Sequence, residues 1–594
     1  MIQRLSRIFK NRLNLSISQK AGVALLVAFI TGVGLMPSAI ESAVGATKPA
    51  AVTLNNFKHI VVIYEENHSF DNLYGNWGTV NGQKVNGLSN ASATSLNQVN
   101  QDGKPFTCLL QNDVNLVTSV AGGANCTDST TATTFTSLFP NAPFKITNYI
   151  APTATTCAAP GSFAAHGLVT GAGLPNGCTE DLVHRFYQEQ YQIDGGKMDR
   201  YVTGSDAVGL TMGYYDTTQL PIYQYLNGTS APKYVVADNF FQAAFGGSFL
   251  NHQWLIAAQS PKWEGGALAD YSANDLHSIV GPDGSPKTYP LHTAPAYAKD
   301  GALTTYCTVP SAAVTAGVPA TIPTGTACGD YAINTIQPTY QPFSPGTPVA
   351  KQLPPLTSSN IGDSLSAKGV DWAWYSGGWD NANGNTTGLG WTNGSTAGTC
   401  TDKQTNSAAV YPNCPNANFQ YHHQPFNYYA NYAPGTAARA AHLLDEQNFI
   451  ASAKAGTLKP VSFVKPVGNE NEHPGYTGEN SGSMHLVDLI KAVESGPNAK
   501  DTLIVVTYDE FGGAWDHVTP PTGAGVSDIW GPGTRIPALV ISAGLPASGV
   551  DHTSYDTTSI LATIEARFKV APLTSRDAAV KNLSAALTVV KKSS

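Results

Sequence analysis

The sequence predicts an α/β fold in which a mostly parallel central sheet is flanked by helices. Six short runs of apolar and β-branched residues are continuous rather than alternating, which is typical of strands buried on both faces of a sheet. Stretches with helical periodicity lie between several of these runs. The predicted strands are residues 59–64, 233–241, 370–375, 461–467, 502–508 and 535–542. The predicted helices are 180–193, 437–456 and 483–495, with a last helix at 557–570 that packs back on the sheet.

Three long segments show little periodicity: residues 76–178, 262–355 and 378–420. Structureless loops of this length are uncommon inside a compact domain. Because they contain all eight cysteines of the chain, we interpret them as disulfide-stapled cap insertions around the rim of one domain, residues 47–594.

The cysteines themselves favour disulfides over a metal site. No Cys-x-x-Cys pair is present, whereas the even number and an export signal are typical of disulfide frameworks. Sequence alone does not fix the connectivity, and pairing in chain order is the simplest expectation. That order gives Cys108–Cys126, Cys157–Cys178, Cys307–Cys328 and Cys400–Cys414.

Residues 1–46 have the pattern of a signal peptide. Five basic residues before position 21 precede an apolar run at 21–35, and small residues then lead to a cleavage site near Ala46. The alternative is an uncleaved anchor, but the run is shorter than the ~20 apolar residues of a membrane span. We therefore expect a secreted or periplasmic protein with no stable membrane anchor.

The charge of the chain argues against some partners. The formal net charge is -8, and loss of the basic presequence leaves about -12. We do not expect a protein this acidic to bind nucleic acid or an anionic membrane surface.

Polar residues follow four of the predicted strands. Because ligands bind outside the carboxyl ends of strands in open parallel sheets, we expect these side chains to converge. They are Glu66 and Asn67 after the first strand, Ser248 after the second, His473 after the fourth, and Asp509 and Glu510 after the fifth.

The acidic members of this group suggest one divalent cation. Taken singly, each has an ordinary interpretation as a turn residue or an exposed acidic loop. Together, three carboxylates and an amide oxygen form a hard, oxygen-rich set, and uncompensated carboxylates would shift to neutral forms. In "AAFGGSFLNHQW", Ser248 belongs either to a flexible turn or to a tight strand-to-helix turn that exposes a nucleophile. A cation beside it would activate an otherwise weak nucleophile.

Four ordered motifs resemble a known family: "EENHSFDNLYG", "ADNFFQAAFGGSFLNHQ", "NEHPGY" and "TYDEFGGAWDHVTPP". They are similar to the bacterial phosphoesterases that include acid phosphatases and phosphatidylcholine-type phospholipases C, within the alkaline phosphatase-like superfamily. The similarity runs from about residue 57 to 580. It implies an alkaline phosphatase-like fold with one catalytic domain.

The resemblance also implies roles for individual residues. Ser248 would be the nucleophile that forms a covalent phosphoryl intermediate, and Glu66, Asn67, Asp509 and Glu510 would bind the metal. Catalytic or phosphate-site histidines would be His473, His184, His422 and His423.

The chemistry of phosphoryl transfer adds further expectations. The Asn251 amide and protonated histidines would bind phosphate oxygens, which favours an acidic pH optimum. We expect His252 and His517 to brace neighbouring motif residues, and His552 is a weaker site candidate.

These observations leave several functions open. The first hypothesis is a secreted, metal-assisted acid phosphatase of broad specificity that acts on phosphomonoesters. The alternative is a phospholipase C that cleaves phospholipid head groups, although Ser248 stands where that branch carries Thr. The Cys/Ser-x-Pro-x-Arg motif of sulfatases is absent around Ser248, which disfavours a sulfatase. A non-catalytic secreted binding protein is the remaining class.

Overall fold

Eight strands form one central sheet, and the most apolar runs of the sequence occupy its middle. The computed structural model describes residues 51–110, 123–148, 179, 181–261, 302–303, 330–331, 336–349, 352–476 and 478–589. In chain order the sheet strands are β1 (His59–Glu65), β2 (Tyr234–Ala237), β3 (Trp372–Ser376), β4 (Leu443–Asp445), β5 (Val461–Lys465), β6 (Thr502–Tyr508), β7 (Ala538–Ile541) and β8 (Gly549–Asp551). Their order across the sheet is β4-β3-β5-β1-β6-β7-β2-β8.

The prediction of a mostly parallel sheet is confirmed, with one correction. β1 pairs in parallel with both β5 and β6, with Ile60 opposite Val461 and Leu503. β7 lies in the predicted strand 535–542 but is antiparallel to both β6 and β2. Residues 509–537 contain no helix. Because a parallel return requires a crossover connection, the chain re-enters the sheet here in the opposite direction.

Helices flank the sheet, as predicted. The described α-helices, in chain order, are α1 (Phe70–Leu73), α2 (Ala93–Leu96), α3 (Phe186–Ile193), α4 (Pro221–Leu226), α5 (Ser248–Ala257), α6 (Ile361–Ala367), α7 (Trp379–Asn383), α8 (Ala437–His442), α9 (Glu446–Ala455), α10 (Glu479–Glu494), α11 (Thr558–Phe568) and α12 (Ser575–Ala579).

Two predicted helices differ from the observed ones. The helix expected at 437–456 is divided into α8 and α9 by β4, which pairs with β3. Asp445 then caps α9 by accepting a hydrogen bond from the backbone of Gln447. Strand pairing at the sheet edge therefore overrides the helical periodicity. The helix expected at 180–193 begins only at Phe186.

The sheet is buried on both faces, as continuous apolar strands require. Every residue of β3, β5 and β6 is buried, and so are residues 60–65 of β1. Glu65 and Lys465 stand out in these strands because they are charged and fully enclosed.

Two of the expected disulfides are present, Cys108–Cys126 and Cys400–Cys414. The other four cysteines lie outside the described residues, as do the predicted signal peptide and most of the insertion at 262–355. Within the described part of the chain, no helix is both long and apolar enough to cross a membrane.

Candidate active site

Six predicted site residues lie together at the carboxyl edge of the sheet. Glu66 and Asn67 directly follow β1, Asp509 and Glu510 directly follow β6, and His473 lies in the loop after β5. Ser248 reaches the same place from the second strand region. Its hydroxyl donates a hydrogen bond to Glu66 Oε2 across 3.2 Å. The carboxyl ends of parallel strands therefore do bring these distant residues together.

Ser248 is the first residue of helix α5, so it occupies the strand-to-helix turn that the sequence left open. Gly246 precedes it with φ +88°, where a Cβ atom would lie 2.8 Å from the backbone nitrogen of Phe186. Only glycine fits such a conformation and such an approach. The Gly-Gly-Ser sequence is therefore a tight turn that fixes Ser248 at the positive end of a helix.

Two fully buried side chains hold this turn in place. The Asn251 amide donates to the carbonyl of Ala244 and accepts from its N–H, both at 3.0 Å. Glu189 Oε2 accepts a hydrogen bond of 2.6 Å from the Gly246 N–H. The predicted contact between Asn251 and phosphate stays a prediction, since the observed hydrogen bonds of its amide serve the loop. The sequence did not predict this role for Glu189, which is one acidic residue in a predicted polar helix.

Three oxygen atoms beside Ser248 are buried and accept no hydrogen bond from the described residues: Asn67 Oδ1, Asp509 Oδ2 and Glu510 Oε1. The second oxygen of each carboxylate is occupied. Asp509 Oδ1 accepts from the N–H groups of Asn67 and Glu510, and Glu510 Oε2 accepts from that of Gly512. The backbone thus orients one free oxygen of each acid.

His473 orients the Asn67 amide. Its Nδ1 lies 2.5 Å from the carbonyl of Pro474, an acceptor, so Nδ1 carries the proton. Its Nε2 then accepts from Asn67 Nδ2 at 2.9 Å. Because the amide nitrogen is directed at His473, Asn67 Oδ1 is left free. Asn67 also has φ +59°, an uncommon backbone conformation that is frequent at functional sites.

The carboxylates raise one another's pKa values. Burial and the charge of Asp509 raise the pKa of Glu66 and of Glu510, and burial raises the pKa of Asp509. A divalent cation would relieve this accumulation of negative charge. Oxygen donors of this kind suit a hard divalent cation, and Glu66, Asn67, Asp509 and Glu510 stay its predicted ligands.

Lys465 is part of the site, and the sequence analysis missed it. It ends β5, is almost fully buried and forms an ion pair with Glu66 Oε1. Its ammonium group also donates to the carbonyl of Glu65 at 3.2 Å. A single lysine inside the apolar run "VSFVKPV" was the available signal, because a buried lysine needs a charged partner.

Three histidines pack on the other side of Glu66. His423 Nε2 lies 3.0 Å from Glu66 Oε1, and its ring stacks on His252 with 4.8 Å between centroids. His422 contacts His423 edge to face. Glu66, His252 and His423 have donor atoms within 4.8 Å of one another and form a second set that could hold a cation. The expectation that His252 braces the motif agrees with its 2.8 Å contact to the carbonyl of Ser248.

The surroundings of these histidines do not favour the imidazolium groups that we expected. Burial lowers the pKa of His422 to about 3, and burial also lowers the pKa values of His252, His423 and His473. The charge of Lys465 acts in the same direction on all four. The acidic pH optimum therefore stays a prediction, and it requires a bound anion that raises these pKa values again.

The other sequence-predicted histidines have different surroundings. His184 Nε2 lies 3.4 Å from Glu510 Oε1, on the carboxylate side of the site. His517 and His552 instead pair with Asp71 and Asp238. His184 thus joins the site, whereas the described contacts of His517 and His552 are with acids outside it.

Comparisons with known proteins agree with the motifs. The family model described as "Phosphoesterase family" matches residues 57–571. Phospholipase C B of Mycobacterium tuberculosis is 33% identical over 144 residues, which cover 21% of this chain and 27% of that protein. Non-specific phospholipase C6 of Arabidopsis thaliana is 30% identical over 159 residues, covering 22% and 30%. The chain thus matches less than a third of the length of these relatives.

Solved structures give a weaker comparison. A protein in the alkaline phosphatase superfamily from Vibrio parahaemolyticus has 13% identity and a TM-score of 0.21, and the match covers 38% of this chain and 50% of that one. No argument rests on so low a score. The family model, in contrast, spans nearly the whole described chain, from before β1 to beyond α11. The chain therefore belongs to the phosphoesterase family.

Proposed function

We propose that this protein hydrolyses phosphate esters, with Ser248 as the nucleophile and with residues 47–594 acting as one catalytic domain. One observation carries the proposal: the Ser248 hydroxyl lies at a helix N-terminus, hydrogen-bonded to Glu66 and beside three buried oxygens that accept no hydrogen bond from the described part of the chain. Such an arrangement suits a hydroxyl that must lose its proton and then carry a phosphoryl group. A non-catalytic binding protein would not require it.

The residues of the chain divide the work as follows. Glu66 Oε2 is placed to accept the Ser248 proton as the oxygen attacks phosphorus. The bond from phosphorus to the ester oxygen breaks, the leaving oxygen takes a proton from solvent, and a phosphoserine forms. Water then attacks phosphorus, phosphate is released, and the proton on Glu66 returns to the Ser248 oxygen. The N-terminus of α5 stabilises the negative charge of the phosphoryl oxygens. A bound divalent cation would supply Lewis-acid charge that lowers the pKa of the serine hydroxyl.

For the substrate, we propose phosphomonoesters first. Lys465 adds a buried positive charge next to Glu66, which suits the dianionic phosphate of a monoester better than the monoanion of a diester. We extend this to an acid phosphatase in which a bound phosphate raises the pKa values of neighbouring histidines.

Phospholipase C activity is the second candidate. Relatives named phospholipase C are 30–33% identical to segments of this chain. Under this alternative, the same Ser248 and the same carboxylates would act on the phosphodiester of a phospholipid head group.

We further propose that the protein acts outside the cytoplasm after cleavage near Ala46. The two described disulfides support this, because such bonds persist in oxidising compartments. Sequencing of the N-terminus of the exported protein would test the cleavage site.

One experiment tests the nucleophile and the substrate together. Hydrolysis of p-nitrophenyl phosphate and of p-nitrophenyl phosphorylcholine would be measured for the wild type and for Ser248→Ala, from about pH 5 to pH 8. We expect faster turnover of the monoester, loss of at least about a thousandfold in kcat for the variant, and a phosphoryl group on Ser248 by mass spectrometry after acid quench. Preference for the choline diester would establish the second candidate. Full activity of Ser248→Ala would overturn the mechanism.

A further inference from the structure

A polar cleft of about 440 Å³ lies beside the disulfide-linked insertion at 378–420. It is bounded by that insertion, by the start of α9 and by the loop after β5. Four acids line it, Asp402, Asp445, Glu446 and Glu470, and no lysine or arginine is among its described lining residues. None of these acids belongs to the site around Ser248.

Two of these acids, Glu446 and Glu470, share one histidine partner behind the cleft wall. His485 Nε2, on α10, lies 2.9 Å from Glu446 Oε1 and 3.6 Å from Glu470 Oε2. All three atoms lie within 4.8 Å of one another. Ligands about 2.1 Å from a common cation are about 3.0 to 3.4 Å apart at octahedral or tetrahedral angles. The observed separations are close to this range.

An independent observation comes from Glu446 itself. This residue is 1% exposed, and its second oxygen, Oε2, accepts no hydrogen bond from the described residues. A buried carboxylate oxygen without a donor is costly unless a cation binds it.

A protonated His485 is the competing explanation for these contacts. One imidazolium between two carboxylates leaves one negative charge, and Glu446 is almost fully buried, which makes that charge costly. A divalent cation bound by a neutral imidazole leaves none. The charge balance therefore favours a cation.

We propose that Glu446, Glu470 and His485 bind a second divalent cation where Glu446 and Glu470 line this cleft. A nitrogen donor among carboxylates favours Mn²⁺ or Zn²⁺ over Ca²⁺ or Mg²⁺. Such an ion would tie the start of α9 to α10 and to the loop after β5.

The test counts bound Mn²⁺ by electron paramagnetic resonance in the full-length protein after removal of metal. We expect two binding events in the wild type. Glu446→Gln should weaken one of them at least tenfold, and Asp509→Asn should weaken the other. Gln447→Ala is the matched control, because this exposed neighbour also lines the cleft without belonging to the ligand set.

Other outcomes have definite meanings. A single event that only Asp509→Asn weakens would overturn the proposal and leave His485 as an imidazolium. A single event that only Glu446→Gln weakens would support it and count against a cation at the Ser248 site. If Glu446→Gln does not fold, Glu470→Gln decides instead, because that side chain is 44% exposed and its loss is tolerable.

Discussion

Glu66 is shared by two sets of candidate metal ligands. One set adds Asn67, Asp509 and Glu510, whose free oxygens are buried beside Ser248. The other adds His252 and His423. In the second set, the Glu66 oxygen that faces the histidines is already paired with Lys465. A cation there would compete with Lys465 for that oxygen, and we therefore predict that the oxygen set is the binding site.

This choice predicts different effects of two substitutions. Glu510→Gln should weaken divalent-metal binding at the Ser248 site at least about tenfold, because it removes a charged ligand. His423→Gln should change the affinity by less than about threefold. Reactivation of chelated protein by graded metal concentrations measures both. A loss confined to His423→Gln would assign the ion to Glu66, His252 and His423.

Lys465 predicts a shift in histidine titration. It lowers the pKa values of His422, His423 and His473, after the larger effect of burial. In metal-free protein, Lys465→Met should therefore raise these pKa values, and His422 should respond most because Lys465 is the largest influence on its pKa after burial. Titration of the imidazole signals by NMR measures the shift. Lys459→Met is the control, since Lys459 pairs with Asp371 at the opposite end of the same strand, and unchanged values in Lys465→Met would refute the coupling.

Residue-level prediction from the sequence succeeded where motif and strand end coincide. Glu66, Asn67, Asp509 and Glu510 follow the two longest strands directly, so the fold alone brings them together. Lys465 and Glu189 were missed because their partners lie 399 and 57 residues away in the chain, and only the folded structure reveals those contacts.

At the scale of elements, the tight turn before α5 leads us to predict that Gly246 cannot be replaced without loss of stability and activity. Gly246→Ala adds both left-handed strain and a clash with the backbone of α3. It should lower the free energy of unfolding by more than about 2 kcal/mol and displace Ser248, so that kcat falls as well.

A matched glycine separates the two effects. Gly398 has φ +84° with nothing near its added Cβ, so Gly398→Ala should cost only about 1 kcal/mol and leave kcat unchanged. Urea unfolding and steady-state kinetics of both variants provide the comparison. Equal costs would show that the contact with α3 is unimportant.

The elements that the sequence mispredicted share one cause. The direction of β7 depends on how a loop returns to the sheet, and β4 forms because β3 offers it an edge. Neither effect is contained in the local pattern of apolar residues, which predicts burial but not pairing. The continuous runs of β1 and β6 were unambiguous because both of their faces are buried.

At the scale of the whole molecule, buried ionisable groups link stability to pH and to metal. In the metal-free protein, the pKa values of Glu66, Asp509 and Glu510 are raised, and those of Glu189 and Glu472 are raised to about 8, in each case chiefly by burial. Between the pKa of a carboxyl in the unfolded chain, about 4.5, and its raised pKa in the folded protein, the folded state binds more protons than the unfolded state. The stability that these groups contribute is therefore fully present at low pH and is lost as pH rises.

Histidines contribute with both signs. Those with lowered pKa values favour folding as pH rises, but only up to their unfolded pKa of about 6.5. For His68, neighbouring carboxylates raise the pKa to about 9 against the effect of burial. Its contribution to stability is therefore lost as pH rises from about 6.5 to about 9. Between about pH 6.5 and pH 8, the acids and His68 thus act in the same direction.

The metal-free protein should therefore lose stability across this window, by up to about 1.4 kcal/mol per pH unit for each group that titrates. Bound metal keeps Glu66, Asp509 and Glu510 charged, so its stabilising effect should grow with pH. Urea unfolding with metal and with chelator, at several pH values in the window, measures the difference. In Asp509→Asn, the difference between metal and chelator should be small at every pH. All measurements would be made in a protein that also carries Glu446→Gln, so that the proposed second cation does not contribute. If the stabilisation by metal stays constant with pH, the carboxylates beside Ser248 are charged without metal. The positive charge of Lys465 is then enough to keep them ionised.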